Sequence, residues 1–500
     1  MPVVKKYKRH TTEFVFHHIM MKKWALLLLF AFGGFRFTMP SAEANDNLRI
    51  AYEWKEMDFK YANAEVRWQA IEAFEFKPEN VIPFGIEVYK SRLFVTLPRW
   101  REGVPASLAY IDLNDNSTKS PALIPYPSWE AHNLDEMDPE LVSPFRVRAD
   151  RCGRLWVLDS RLDGVLEDTQ IFGPSQLLVY DLHNDDLLRR HIFPANQVKE
   201  NSFFANLAIE DGDCADTYAY AGDLGNPGLV VYSWKKQESW RVQHHFFHPD
   251  PMSGNFSIGG HMFQWDDGLY GLSLSKVQED GFSTLYFHPL TSTMEFSVNT
   301  KILRNKTLAT EGQIYKEFKI LGSRGTNAQS GASFLDQETE VLFYTLPNLN
   351  AVACWKSTSG EYSPKTQGRV YMHPVEMLFP SDVKVDGNHN LWVLSNRLQE
   401  FIYGELFPNS VNFRILKATV NEAIANTVCE GSNKETSTSF SDMMNIGRTA
   451  PTDYNVNNHN HHNHDHKHHH QHDHHNSAGR LAVREAIVLA IFVFISALFR

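Results

Sequence analysis

One string occurs twice in this chain with its spacing kept. Residues 150–161 read DRCGRLWVLDSR and residues 386–397 read DGNHNLWVLSNR, so the leading Asp, the Leu-Trp-Val-Leu strand and the closing Arg stay in register. A polar turn running into a short apolar strand is a hairpin signature. Looser copies lie at 91–97, 218–221, 268–274 and 341–346. Each of the six is followed by a further strand-like segment, at 108–113, 177–182, 229–234, 284–290, 351–355 and 413–418, read here as the outer strand of its unit. Six sheet units in series can close radially and leave only short, protected edges. Residues 45–430 are therefore read as an all-β fold, a six-bladed β-propeller. Trp156 and Trp392 take equivalent inner-strand positions and are expected in the core.

Composition agrees with that reading and removes one function class. Thirty-four Phe, 18 Tyr and 11 Trp suit a β-rich fold. The net charge is −11, and the first 44 residues carry seven basic against two acidic side chains, so the remainder is more acidic still. A phosphate backbone requires a basic face, and no nucleic-acid partner is expected.

The chain ends read as addresses. Lys22 and Lys23 precede an apolar run at 24–32, and a small-x-small site follows at Ala42-Glu43-Ala44. This is the layout of a secretory signal peptide cleaved near Asn45, making 1–44 a leader and signal. Sequons at Asn116, Asn255 and Asn305 fit a glycosylated extracellular protein. At 481–500 an apolar tail (486–499, closed by Arg500) follows the small residues Ser477, Ala478 and Gly479 and a polar spacer. That order matches GPI attachment to a cell surface, with a short uncleaved anchor or a terminal helix as alternatives. Between propeller and tail, 431–480 reads as a disordered linker. It holds eleven His between His459 and His475, of which His459, His461, His462, His464 and His466 are expected to be at most loose, unselective metal chelators.

Four cysteines, Cys152, Cys214, Cys354 and Cys429, suit two disulfides in an oxidising compartment. Three pairings are open. Cys152 and Cys214 fall in consecutive units and Cys429 follows the last, which favours Cys152–Cys214 with Cys354–Cys429.

Several longer strings carry a family resemblance: FRVRADRCGRLWVLDSR (145–161), GLVVYSWKKQESWRVQHHFFHPDP (228–251), FQWDDGLYGLSLS (263–275), STLYFHPLTST (283–293) and LWVLSNRL (391–398). In order and content they resemble the insect Yellow / major royal jelly protein family over residues 48–430. The resemblance implies a secreted six-bladed propeller tied to cuticle pigmentation and melanin chemistry. Among its relatives it implies dopachrome conversion in some, biogenic-amine binding in the central channel in others, and secreted storage in others. The His tract and apolar tail lie outside that resemblance.

The chain contains no His-Glu-x-x-His, Gly-x-Ser-x-Gly or Gly-rich phosphate loop, and no cofactor is expected. His244–His248 (HHFFH) is read as an outer strand with His244 and His248 on one face, too few ligands for copper. Asp266-Asp267 is read as a tight turn before a strand. The segments 321–331 (LGSRGTNAQSG) and 346–352 (LPNLNAV) combine uncharged hydrogen-bonding groups with flanking apolar strands, the mixture an amine or catechol needs. By resemblance to amine-binding relatives, Thr326, Asn327, Gln329, Asn348 and Asn350 are candidate ligand contacts, joined by Arg324 and Phe343, which alternates in direction with Tyr344. Two readings follow. The first is a binding or cuticle protein that holds a small aromatic amine or catechol. The second is a dopachrome-converting isomerase, which needs a titratable base in the channel, with Glu87, His132, Asp159 and Glu210 as candidates. A calcium-dependent lactonase would instead require inward carboxylate and Asn ligands.

Overall fold

The repeated turn has a physical basis that the structure makes plain. Asp150 accepts backbone hydrogen bonds from Cys152 and Arg154 through one carboxylate oxygen (2.9 Å each) and the Trp156 indole through the other (2.7 Å). Asp386 repeats the arrangement with Asn388, Asn390 and the Trp392 indole, the last at 2.8 Å. One carboxylate thus closes the turn and orients a fully buried aromatic ring, which is why Asp and Trp recur together.

This computed structural model describes residues 47–311, 313–431 and 439. Six four-stranded antiparallel sheets follow one another. Their innermost strands are Gly85–Tyr89, Pro144–Ala149, Phe204–Glu210, Leu269–Leu274, Ser333–Asp336 and Phe379–Val385. Each touches the next, and the sixth touches the first, so the sheets form a closed ring around a central channel. Closure uses the N-terminal strand Arg49–Trp54, which pairs with Phe413–Thr419 as the outermost strand of blade six. The fold is the expected six-bladed propeller. Cys152–Cys214 and Cys354–Cys429 are the disulfides, the first joining equivalent turns of blades two and three, the second tying the C-terminal turn to blade five.

Strand positions within the blades need correction. The Leu-Trp-Val-Leu strands are second strands, not inner ones: Arg154–Asp159 and Asn390–Asn396 lie one step from the channel. The segment at 268–274 is out of phase with the other copies, because Leu269–Leu274 is the innermost strand of blade four. The segment at 284–290, read as outer, supplies that blade's second strand, Thr284–Pro289. Second strands are covered on both faces by neighbouring blades, so they read as apolar runs; Trp156 is fully buried there and Trp392 nearly so.

Two local readings also change. His245–Phe247 is a 3-10 turn, not a strand, capped by the His244 ring, which stacks on Phe318 at 3.9 Å. Asp266 and Asp267 form no tight turn; they run straight into the innermost strand of blade four. The three sequon asparagines are exposed. The signal, the linker with its His tract (apart from residues 431 and 439) and the apolar tail lie outside the described residues. Among the described residues, no helix is long and apolar enough to cross a membrane.

Candidate functional site

All six innermost strands run the same way, so the channel has a face where they start and a face where they end. Between the two stands Arg146, on blade two. Its guanidinium donates to the carbonyls of Phe84 (3.0 Å), Ala205 (3.2 Å) and Ser381 (2.8 Å) and to the Tyr270 hydroxyl, and pairs with Asp382 at 2.9 Å. Those partners belong to blades one, three, six and four. One buried side chain therefore ties its own blade to four others across the axis, and it partitions the channel.

Toward the end face the channel is charged. Lys384 pairs with Asp382 at 2.7 Å, and Arg148 with Glu87 at 3.3 Å. Burial opposes ionisation of Asp382, yet Arg146 and Lys384 together hold its carboxyl below the usual range. Burial pushes Glu87 up, against the pull of Arg148, and brings Lys384 down to about 8. A cavity of about 30 Å³ beside Arg148 and Phe334 has room for about one water.

At the end-face mouth, a cavity of about 440 Å³ is lined by Arg151, Glu210, Asp213, Asp216, Lys276, Arg304 and Gln337, among others. Its charged groups have partners in the lining or beside it. Arg151 meets Asp211 at 3.2 Å, and Arg304 meets Asp216 at 3.0 Å. Glu210 accepts from Tyr220 (2.6 Å), Thr300 (2.8 Å) and the Ser283 backbone (3.0 Å).

The start-face mouth is aromatic. A hairpin, Asn255–Ile258 with His261–Gln264, precedes blade four and reaches the loops of blades five and six that lie on this face. Phe263 meets Trp265 at 4.6 Å and Tyr403 at 4.8 Å, and the Trp265 indole donates to the Tyr403 hydroxyl at 2.7 Å. His261 faces Glu400 at 3.0 Å. Below this cap, Phe84 and Phe145 stand 4.3 Å from each other, with the Arg146 guanidinium 5.4 and 5.5 Å from their rings.

The amide-rich candidates gather partly here. Gln329 donates to the carbonyls of Ser253 (2.7 Å) and Asn255 (3.1 Å). Asn348 donates to Gln329 (2.9 Å) and to the Asn255 carbonyl (3.1 Å), and accepts from the Ser257 backbone (2.7 Å). Both residues hold the foot of the cap hairpin. Asn350 occupies a left-handed position at the end of the same turn. Thr326 and Asn327 are exposed on a loop. Arg324 is buried away from the channel, paired with Glu295 at 2.6 Å, while Glu295 also meets His288 at 2.8 Å. Phe343 and Tyr344 are both fully buried on a second strand.

Of the candidate bases, Glu87 lies in the channel and Glu210 at the end-face mouth. Asp159, fully buried at the end of a second strand, accepts from the backbone N–H groups of Val142 and Ser143. His132 is buried in blade one, where desolvation and Arg99 lower it to about 3. Sequence reasoning dismissed the residue that stands out. Asp267 is half-buried at the start-face mouth, and burial first, then Asp266, pushes its carboxyl up to about 7. The signal was present in the doubled acid of QWDDG; what was missing was the knowledge that no cation lies beside it. Among the described residues, no cluster of three His, Cys, Asp or Glu side chains is placed to hold a metal ion.

Comparison with known proteins identifies the family through its sequence relatives. Residues 142–429 match the family described as "Major royal jelly protein". The chain is 40% identical over 412 residues to "Protein yellow" of Drosophila erecta, covering 82% of this chain and 74% of that one. It is 41% identical over 391 residues to "Protein yellow" of Drosophila pseudoobscura pseudoobscura, covering 78% and 69%. Among solved structures, virginiamycin B lyase from Staphylococcus aureus aligns at 10% identity with a TM-score of 0.36, over 68% of this chain and 95% of that one.

Proposed function

This chain belongs to the major royal jelly protein family, and on that premise we propose that it is a secreted Yellow-type propeller of the pigmentation and melanin pathway that binds a small aromatic amine or catechol in its central channel. The observation that carries this reading is the start-face mouth. Phe256, Phe263, Trp265, Phe379 and Tyr403 converge over the channel with only a few polar groups among them. Flat rings stack well on such walls, and a few polar groups then fix orientation. The two disulfides suit an oxidising, extracellular setting. The test is calorimetric titration of the secreted full-length protein with dopamine and with 4-methylcatechol. Saturable one-site binding of either supports the reading, and heats of dilution alone for both overturn it.

A specific observation favours a second reading, dopachrome conversion. A base for that proton transfer works best when it titrates near the operating pH, and Asp267, raised to about 7, does so. Loss of dopachrome absorbance with native protein, but not with heat-killed protein, would place the catalytic reading ahead.

A further inference from the structure

Charged groups inside this propeller are arranged in partnerships. Arg146, Asp382 and Lys384 form one, Glu87 and Arg148 another, and Arg324, Glu295 and His288 a third. Asp267 breaks the pattern. Its backbone is fixed on both sides by Thr291, whose hydroxyl accepts from the Asp267 N–H (3.1 Å) and whose own N–H donates to the Asp267 carbonyl (3.1 Å). Its carboxylate forms no hydrogen bond and no ion pair among the described residues. The main chain that carries this carboxylate is held in place, and no partner among the described residues quenches its charge.

Its position is equally specific. Asp267 leads into the innermost strand of blade four, two residues after Trp265, and the phenols of Tyr270 and Tyr403 both feel its charge. Tyr270 reaches the axial Arg146, while Tyr403 lies under the cap hairpin. The titratable and charged groups around it are the exposed Asp266 and these two phenols, none of which is a cation. A desolvated carboxylate with no counter-charge is costly to keep ionised, and a ligand that brings a cation removes that cost. The flanking indole and phenol offer π faces to the same cation.

We propose that Asp267 is the ammonium receptor of the channel mouth, so that the ligands selected are protonated arylalkylamines, with the ring against Trp265 and Tyr403 and the ammonium against the carboxylate. This rests on the reading that a small aromatic ligand occupies the start-face mouth, and it narrows that reading from catechols at large to cationic amines. It also sets a direction with pH. An ammonium pairs with the ionised carboxylate, so amine affinity rises as Asp267 deprotonates near neutrality, whereas a neutral catechol gains nothing.

The experiment titrates the full-length secreted protein with dopamine and with 4-methylcatechol, as wild type, Asp267→Asn and Asp267→Glu, at pH 5.5 and 8. In wild type, dopamine affinity should rise by up to about 30-fold between the two pH values, with 4-methylcatechol flat. At pH 8, Asp267→Asn should weaken dopamine at least about tenfold and leave 4-methylcatechol within about twofold; Asp267→Glu should recover part of the loss. If wild type binds both ligands with no pH dependence for the amine, or the Asn variant binds dopamine as wild type does, the receptor assignment is overturned while the channel-binding reading stands. If wild type binds neither ligand, the channel reading itself falls, and the assignment with it. The wild-type pH comparison needs no variant, so a poorly folding mutant does not leave the question open.

Discussion

The two mouths of the channel handle charge in opposite ways. At the end face, a cavity of about 440 Å³ is rich in charge, but each acid found there is matched to an arginine, a hydroxyl or a backbone N–H. At the start face, charge is sparse, the walls are aromatic, and one carboxylate stands without a partner. Cavity size alone would choose the first. Electrostatics chooses the second, because a charge already satisfied gains little from a ligand and must first be separated from its partner. The lesson is that an unpaired group in a fixed frame is a stronger pointer to a ligand than empty volume.

The largest effect expected is from removing the wall between the mouths. Arg146→Met removes bonds to four other blades and leaves Asp382 with Lys384 as its one cation. Breaking a buried, hydrogen-bonded ion pair from one side costs about 3–5 kcal/mol, and urea unfolding should show that loss as a lower midpoint. The next largest acts on one mouth alone. The Cys152–Cys214 bridge closes a loop with a sequence separation of 62 at the end face, and Cys152→Ser with Cys214→Ser should cost about 2–4 kcal/mol. Dopamine titration of that variant, below its unfolding temperature, should match wild type within about twofold. A larger loss would show that the end-face loops take part in binding.

How much of this was legible beforehand divides along the same radial line. Second strands such as Arg154–Asp159 and Val341–Leu346 are buried on both faces, so they announced themselves as apolar runs and gave the blade number. Innermost strands such as Pro144–Ala149 and Phe379–Val385 carry Arg146, Arg148, Asp382 and Lys384, whose charges blur the apolar pattern. Blade four is the exception that confirms the cause: Leu269–Leu274 bears no charge, and so it was taken for a strand of the other class. The amides Gln329 and Asn348 were visible as a polar cluster, but their partners, the carbonyls of Ser253 and Asn255, lie more than 70 residues away. Asp267 was visible too, yet whether a carboxylate is paired is a tertiary fact, and local sequence favours the turn reading.

A smaller effect separates the mouths by pH. The Asp267 carboxyl is pushed up to about 7 from an ordinary 3.8, chiefly by burial. Below about pH 4 both folded and unfolded chains hold that proton. As pH rises toward 7 the unfolded chain loses it while the folded one keeps it, so stability falls across that window and levels off above it. Asp267→Asn removes the penalty. It should equal wild type near pH 4 and exceed it by on the order of 1–2 kcal/mol at pH 8, once solvent at the rim is allowed for. Thermal unfolding at the two pH values reads this directly. A gain in stability together with a loss of amine binding is the signature of a group kept for a ligand.

The smallest expected effect is also the one best placed to reverse the comparison. Arg151 is 66% exposed and meets Asp211 at 3.2 Å on the rim of the end-face cavity. Screened pairs of this kind contribute about 0–1 kcal/mol, so Arg151→Ala should shift stability by no more than about 0.5 kcal/mol. Its effect on ligand is the sharper question. If the end-face charges serve the fold, dopamine affinity stays within about twofold of wild type at low and at physiological salt. If affinity instead changes several-fold, and the change fades with added salt, then a ligand passes near Arg151, and the end-face cavity is the entrance after all. Asp267 would then lie on the far side of the Arg146 plug from the incoming amine, and the two mouths would have to exchange roles.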